Sequence, residues 1–427
     1  MKRLFGLVPN VFFLGLVSMF NDFSSEMVYA VMPVFLTTVL GASPIFVGFI
    51  EGFADALASI LKIAGGWFSD RIRRRKRLAV WGYALSTSTR LILSLVTNFW
   101  QVFVLRAIDR VGKGLRDAPR DALIAESVEK NEIGKSFGYH RAMDTIGGTL
   151  GPLAAVVLLP LLAFNYRNLF IIGFIAGFLA IFSFIFVKDV ARPNSPQEEP
   201  KNNLPRPPLP SARSTLDILR PSNQARKIIE ERKKNRVPFS RAFKLYVFSV
   251  FIFGLGVMPV SLMLLKSSAL QLPAVNIPFT YFIYSLSFVI FAIPFGRLSD
   301  KIGQKKVLAL GFLSAIIAYI IFAVTNSPYG LLLGFIAFGL YSAMTDGVSR
   351  AMASRLAPIE RQALGQGLLN SALGISALIA GVAGGYLWKF FSPSIAFLYG
   401  VILMIIGLIF FVSLNGWKDF EHQASHK

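Results

Sequence analysis

Twelve apolar runs of roughly 20 residues, each long enough to carry a helix across a hydrocarbon layer of about 30 Å, dominate this chain. Inside lipid, backbone N–H and C=O groups must be satisfied within a helix or a closed barrel, and the runs lack the alternation of barrel strands. They therefore read as helical spans at about 9–37, 44–68, 78–97, 99–125, 137–163, 169–187, 242–265, 276–297, 306–325, 329–352, 362–388 and 394–413. The fourth and tenth run long and are expected to leave the membrane still helical. Only 16% of the residues are charged, against about 25% in soluble proteins, so the class is an all-α membrane protein.

A formal net charge of +21 would suit a nucleic-acid binder, but its distribution points elsewhere. With the N-terminus inside, the outer loops (41–43, 97–98, 165–168, 266–275, 326–328 and 389–393) hold only Arg167, Lys266 and Lys389 as basic residues. Most other Lys and Arg fall on the inner side, as the positive-inside rule requires. The expected partner is the lipid bilayer, not nucleic acid, and the expected location is the inner (cytoplasmic) membrane, with both termini cytoplasmic. Met1-Lys2-Arg3 before an apolar run resembles a secretory signal, but no small-residue cleavage site ends the run, which is expected to stay as span one. The absence of cysteine excludes disulfides, thiolate metal sites and cysteine nucleophiles.

Residues 188–240 separate spans six and seven. They are rich in proline between Pro193 and Pro210 and basic between Arg226 and Arg236, a composition that cannot form a core. The segment reads as a cytoplasmic tether; within it, 223–235 has the alternative of a basic helix lying on anionic lipid. The expected organisation is a bundle over 1–187, this linker, a second bundle over 241–416 and a tail over 417–427.

The two bundles repeat one another. AVMPVFL at 30–36 returns as GVMPVSL at 256–262, and GGWFSDRIRRRKR at 65–77 returns as FGRLSDKIGQKK at 295–306. Pro33 is matched by Pro259, Gly66 by Gly296, Asp70 by Asp300 and Arg120 by Arg350, at offsets of 226 to 230 residues. A six-span unit used twice about an axis along the membrane normal is a transporter pattern. Met32-Pro33 and Met258-Pro259 are expected to break their helices at equivalent depths.

On these residues the chain resembles the major facilitator superfamily over essentially its whole length. That family's loop between spans two and three, G-x-x-x-D-[RK]-x-G-[RK]-[RK], is matched by Gly66, Asp70, Arg71, Arg74 and Arg75, with Arg73 in place of the second glycine. The second half carries a fuller copy in Gly296, Asp300, Lys301, Gly303 and Lys305. Span five carries G-x-x-x-G-P as Gly147, Gly151 and Pro152, a helix-packing motif typical of the family's antiporters, although Ala155-Val156 replaces its trailing glycines. The resemblance implies two six-helix bundles around a central cavity and transport by alternating access. It also implies a path lined by spans one, four, seven and ten, and a cytoplasmic gate around the loop motif.

A charge at the bilayer centre costs about 2.5–3.5 kcal/mol, so intramembrane charges mark function. They concentrate in the first half. Asp22 and Glu26 lie four apart in span one, and Glu51 and Asp55 four apart in span two, with Lys62 seven further on. Arg90 is in span three. Arg106, Asp109, Arg110, Lys113, Asp117 and Arg120 form a stripe along span four, and His140, Arg141 and Asp144 follow in span five. A carboxylate in apolar surroundings can exchange a proton near neutrality, whereas one paired with Arg or Lys serves structure. Asp22, Glu26, Glu51, Asp55, Arg90, Arg106, Asp109 and Arg110 are therefore the coupling or substrate candidates. The alternative for each carboxylate is a static pair with Arg90, Arg106 or Lys62. Gly66, Asp70, Arg71, Arg74, Lys113, Asp117, Arg120, Arg141, Asp144, Asp300 and Lys301 are the gate candidates. The segment Leu105–Asp121 is expected to join the two, its first part reaching the cavity and its second part the gate.

The residues Gly112–Gly114 lack the spacing and hydroxyl of a phosphate loop, and neither H-E-x-x-H nor G-x-S-x-G occurs, so an enzyme is not expected. Neither a cofactor nor a metal is implied. The expected function is secondary transport of a small molecule or ion by a monomer, with protons as the coupling ion and export of an amphipathic or drug-like compound. The alternatives are uptake or exchange of an anionic metabolite on Arg90, Arg106 and Arg110, and transport of an inorganic cation such as iron on the four carboxylates. A non-transporting scaffold or sensor on the same fold is the remote one.

Overall fold

The computed structural model describes residues 3–4, 7–71, 75–129, 132–189, 238–358 and 361–413, and the side chains of all of these except 62–71 and 363. Apart from an isolated bridge between Leu4 and Leu7, the described residues are helices, turns and connections. The first half gives α1 (Pro9–Val34), α2 (Pro44–Arg71), α3 (Arg75–Leu93), α4 (Phe99–Glu126), α5 (Ile133–Leu161) and α6 (Tyr166–Ser183). The second gives α7 (Arg241–Gly256), α8 (Val260–Ala269), α9 (Asn276–Ile302), α10 (Gln304–Val324), α11 (Pro328–Leu356), α12 (Gln362–Phe390) and α13 (Pro393–Ser413). Helices α7 and α8 are one span interrupted at its middle, so among the described residues thirteen α-helices make twelve spans. The expected linker falls almost entirely, and the tail over 417–427 wholly, outside the described residues.

The interruption is where the two repeats part company. Pro259 breaks its span as expected, and the freed Met258 N–H donates to the Tyr319 hydroxyl of α10 at 2.7 Å. Pro33 does not break α1. The chain runs through it into one π-helical turn, Phe35–Val39, and the Thr37 and Thr38 hydroxyls donate to carbonyls of Pro33 and Val34. The two hydroxyls supply extra donors to carbonyls of the wider turn that follows the proline. Lys266, expected in an outer loop, lies in α8 and is buried.

Ten spans are long and apolar enough to cross a membrane on composition alone. The other two, α3 and α4, carry too many charges for that, and they are held by their neighbours: α3 packs on α4 and α6, and α4 on α2. Helix α4 turns its charges inward and leaves Trp100 and Val104 exposed toward lipid.

Within the first bundle α1 packs on α5 and α6; within the second α10 packs on α11 and α13, and α7 on α12 and α13. Two seams join the bundles, α2 against α12 and α5 against α9, and the internal repeat exchanges one for the other. This is the architecture that the resemblance implies. An even number of spans puts both termini at one face, called here the terminal face. At the opposite face the α2–α12 seam is tight: a Cβ on Gly48 would strike the Gly381 carbonyl, and one on Gly381 the Gly48 carbonyl. Backbones this close admit only glycine.

Candidate functional site

A cavity of about 430 Å³ lies between the bundles, walled by α1, α2, α4, α7, α8, α9, α11 and α12. Two carboxylates face it, Glu26 from α1 and Asp55 from α2, as do Arg110 and Lys113 from α4 and Arg350 from α11. Four tyrosines complete its wall. Tyr29 lies 5.3 Å from Tyr281, which stacks on Tyr284 at 5.7 Å, and Tyr341 stands nearby on α11. The Tyr281 hydroxyl donates to Glu26 Oε2 at 2.6 Å, tying one bundle to the other. Aromatic faces beside carboxylates bind organic cations and apolar ring systems well.

Above this cavity Arg106 donates to Glu51, which is 1% exposed, and lies 5.3 Å from the centre of the Tyr29 ring. Arg106 also stands 3.9 Å from Asp109, and Arg110 lies 3.7 Å from Asp109 and 3.9 Å from Asp55. Of the four carboxylates that the sequence groups by spacing, each has a different setting. Glu51 is in the static pair with Arg106, Asp55 is half exposed to the cavity, Glu26 meets Tyr281, and Asp22 turns to another chamber. Four-residue spacing puts side chains on one helix face, but neighbouring helices decide what each meets. Among the described residues no cluster of three or more His, Cys, Asp or Glu is placed to hold a metal.

That other chamber, about 690 Å³, lies nearer the terminal face. The carboxyls of Asp22 and Asp144 face each other within hydrogen-bonding reach there. Ser18 donates to Asp144 at 2.5 Å, and Asn21 donates to Asp22 at 2.9 Å. Arg141 pairs with Asp144 at 3.1 Å and reaches across to Asp346 of α11 at 3.6 Å, while Arg350 holds Asp346 at 2.7 Å. Asp117, Arg120 and Asp121 line the same chamber, with Arg120 2.9 Å from Asp121 and 3.7 Å from Asp117. Lys113 borders both spaces, so α4 does run from the cavity to the terminal-face chamber. His140 is buried at the chamber wall, and its Nε2 has no hydrogen-bond partner.

Arg90, a candidate partner for the carboxylates, donates instead to neutral groups: Ser24 Oγ at 2.7 Å and Asn21 Oδ1 at 3.0 Å. Arg116 donates to the same Asn21 oxygen at 3.1 Å and lies 4.5 Å from the centre of the Tyr83 ring. Two buried guanidiniums thus converge on one amide. Sequence reasoning passed over Asn21 and the tyrosines because neutral side chains carry no insertion penalty to draw the eye. Tyr281 and Tyr284, three apart on α9, were the available signal.

Gly147 and Gly151 press α5 against the backbone of α1, where a Cβ would meet the carbonyls of Met19 and Phe23, and Pro152 is buried beside them. In the second loop motif Gly303 ends α9 with φ 95°, a left-handed conformation that glycine adopts without strain, and Asp300 and Lys301 lie exposed in the turn before it. Of the first copy, the backbone of Gly66, Asp70 and Arg71 is helical and their side chains lie outside the described set; Arg74 lies outside the described residues.

A family model described as Major Facilitator Superfamily matches residues 14–283 and 246–419. An uncharacterized MFS-type transporter of Methanocaldococcus jannaschii is 33% identical over 400 residues, covering 94% of this chain and 93% of its own. A class H tetracycline resistance protein of Pasteurella multocida is 32% identical over 133 residues, 30% of this chain and 33% of that protein. Among solved structures, a peptide transporter POT in complex with sulfate superposes with a TM-score of 0.74 at 17% identity, covering 98% of this chain and 96% of that one. The nucleoside transporter NupG superposes with a TM-score of 0.69 at 14% identity, covering 94% and 98%. At these identities the structural likeness speaks for fold alone. Together with the repeated bundles and the cavity between them, these matches mean that the chain belongs to the Major Facilitator Superfamily and is a multi-pass membrane transporter, not an enzyme.

Proposed function

We propose that this transporter exports a small amphipathic or drug-like compound in exchange for protons, as a monomer in the inner (cytoplasmic) membrane with its terminal face toward the cytoplasm. The carrying observation is the Asp22–Asp144 pair. Two carboxyls in contact do not both ionise cheaply, so the pair is a place to hold one proton. It borders the chamber through which the cavity meets the terminal face. In the state described, α2 and α12 close the opposite face, and solute reaches Glu26, Asp55 and the tyrosine wall from the cytoplasmic side. Reorientation breaks the Glu26–Tyr281 contact and opens the other face; a proton then returns on a carboxyl as the solute leaves. The partial likeness to a tetracycline resistance protein agrees with this direction.

A small organic anion or zwitterion is the second reading, favoured by Arg110, Lys113 and Arg350 at the cavity. Arg90 and Arg106, the other candidate counter-charges, are engaged by Asn21, Ser24 and Glu51.

In proteoliposomes carrying an imposed pH gradient, ethidium, tetraphenylphosphonium and tetracycline form the first panel, with small organic anions as the second. Gradient-driven movement of a member of the first panel is expected, and movement of the second panel alone would replace this reading with the anion one. Glu26→Gln and Asp55→Asn should each weaken apparent affinity for the transported cation by about tenfold to a hundredfold, the worth of a charged hydrogen bond. Unchanged affinity in both variants would remove these carboxylates from the site.

A further inference from the structure

A groove of about 720 Å³ lies where α5, α9 and α11 meet, on the terminal half of the molecule. Its walls include Gly138 of α5, Gly296 of α9 and Gly347 of α11, and a Cβ at any of the three would meet nothing within 4 Å. These glycines therefore do not mediate close packing, unlike Gly147 and Gly151; they leave space. Ile146 and Ile293 carry the groove outward onto the lipid-facing surface, where they are 43% and 66% exposed.

The inner end of the groove is polar, formed by Arg141, Asp300 and Asp346. Arg141 is engaged on both sides, by Asp144 and Asp346, whereas the Asp300 carboxylate makes no ion pair among the described residues. The groove shares Arg141, Asp346 and Gly347 with the terminal-face chamber, and that chamber shares Lys113, Arg350 and Asn370 with the central cavity. A side path thus runs from the apolar surface to the cavity, with the Arg141–Asp346 pair standing across it.

We infer that this groove is a binding site for an amphipathic cation, an ammonium head on an apolar body, which passes through it from the adjoining lipid leaflet to the central cavity. The body lies between α5 and α9, and the head sits on Asp300 before replacing Arg141 on Asp346. An anionic head would face two carboxylates and one guanidinium already engaged. Burial of an apolar body in a bilayer-facing groove needs little desolvation, because the solute is already partitioned into lipid. The inference rests on the export reading and narrows its substrate class.

The test uses the full chain in lipid nanodiscs and an alkyltrimethylammonium carrying a diazirine in its chain. Photolabelling should saturate, map to Ala142, Ile146, Val289 and Ile293, and be competed by the unlabelled homologue. Gly296→Trp and Gly138→Trp fill open space and should abolish it without altering the elution profile of the protein. Asp300→Asn should weaken it by about tenfold, as loss of a charge partner does. Label spread evenly over lipid-facing positions such as Phe178 and Ile402, non-saturable and indifferent to Gly296→Trp, would overturn the inference. The two readings fail separately: saturable groove labelling without gradient-driven export would sink proton-coupled export and leave the groove standing. Export with no saturable groove labelling would sink the groove alone.

Discussion

Gly381→Leu is expected to leave the protein folded and in the membrane but to abolish transport, because the opposite face could no longer close. Gly48 and Gly381 bring α2 and α12 into backbone contact, and the seam continues through Gly52 against Ala377 and Gly385 against Pro44. A leucine side chain has no room there in the closed arrangement, yet it would project into space when the seam parts. Overpacking of this kind costs about 1–3 kcal/mol, enough to shift a two-state equilibrium about tenfold to a hundredfold. The cysteine-free sequence makes the readout direct: a single Ala58→Cys in the cavity wall can be labelled by an impermeant maleimide from one side at a time. Labelling from the opposite face should rise by about tenfold or more in Gly381→Leu, and to a smaller degree in Gly381→Ala. Equal labelling with and without the substitution would mean that this seam is not the moving closure.

The second large effect is expected at Asn21, and it concerns stability. Asn21 Oδ1 accepts from Arg90 and Arg116, which are 2% and 4% exposed. In Asn21→Leu, Arg90 keeps Ser24, and Arg116 keeps the Tyr83 ring and a 3.7 Å approach to Asp117. Each hydrogen bond lost to a buried charged donor costs about 1.5–3 kcal/mol, much more than losing a surface contact. Thermal unfolding in detergent should move down by many degrees, with a loss of monodisperse protein at growth temperature. Asn21→Asp restores an acceptor and adds counter-charge, so it should keep the melting temperature near that of the parent while placing a third carboxylate beside Asp22 and Asp144. A parental melting temperature in Asn21→Leu would show that the two arginines are held by something other than this amide.

The architecture was largely legible because membrane spans are set by length and hydropathy, both read directly from sequence. The repeat of Gly66 and Asp70 in Gly296 and Asp300 supplied the two-bundle arrangement. What escaped was decided by contacts between helices. Pro33 and Pro259 look equivalent, but only one has a Thr-rich turn after it and only the other has Tyr319 to receive its free backbone. Glu51 and Asp55 share a face of α2, yet Arg106 takes one and the cavity the other. Arg116 sat within the charged stretch of α4 without distinction until the fold placed it on Asn21. The Asp22–Asp144 pair joins two helices 122 positions apart in sequence, a contact no periodicity encodes.

That pair is the proposed proton site. In proteoliposomes loaded with a pH-sensitive dye, ethidium movement and proton movement can be followed together under an imposed pH gradient. Asp22→Asn should lose gradient-driven ethidium accumulation and the accompanying proton flux while retaining ethidium counterflow, since binding and reorientation need no net proton transfer. Gradient-driven accumulation at the parental rate in Asp22→Asn, with proton flux intact, would contradict it.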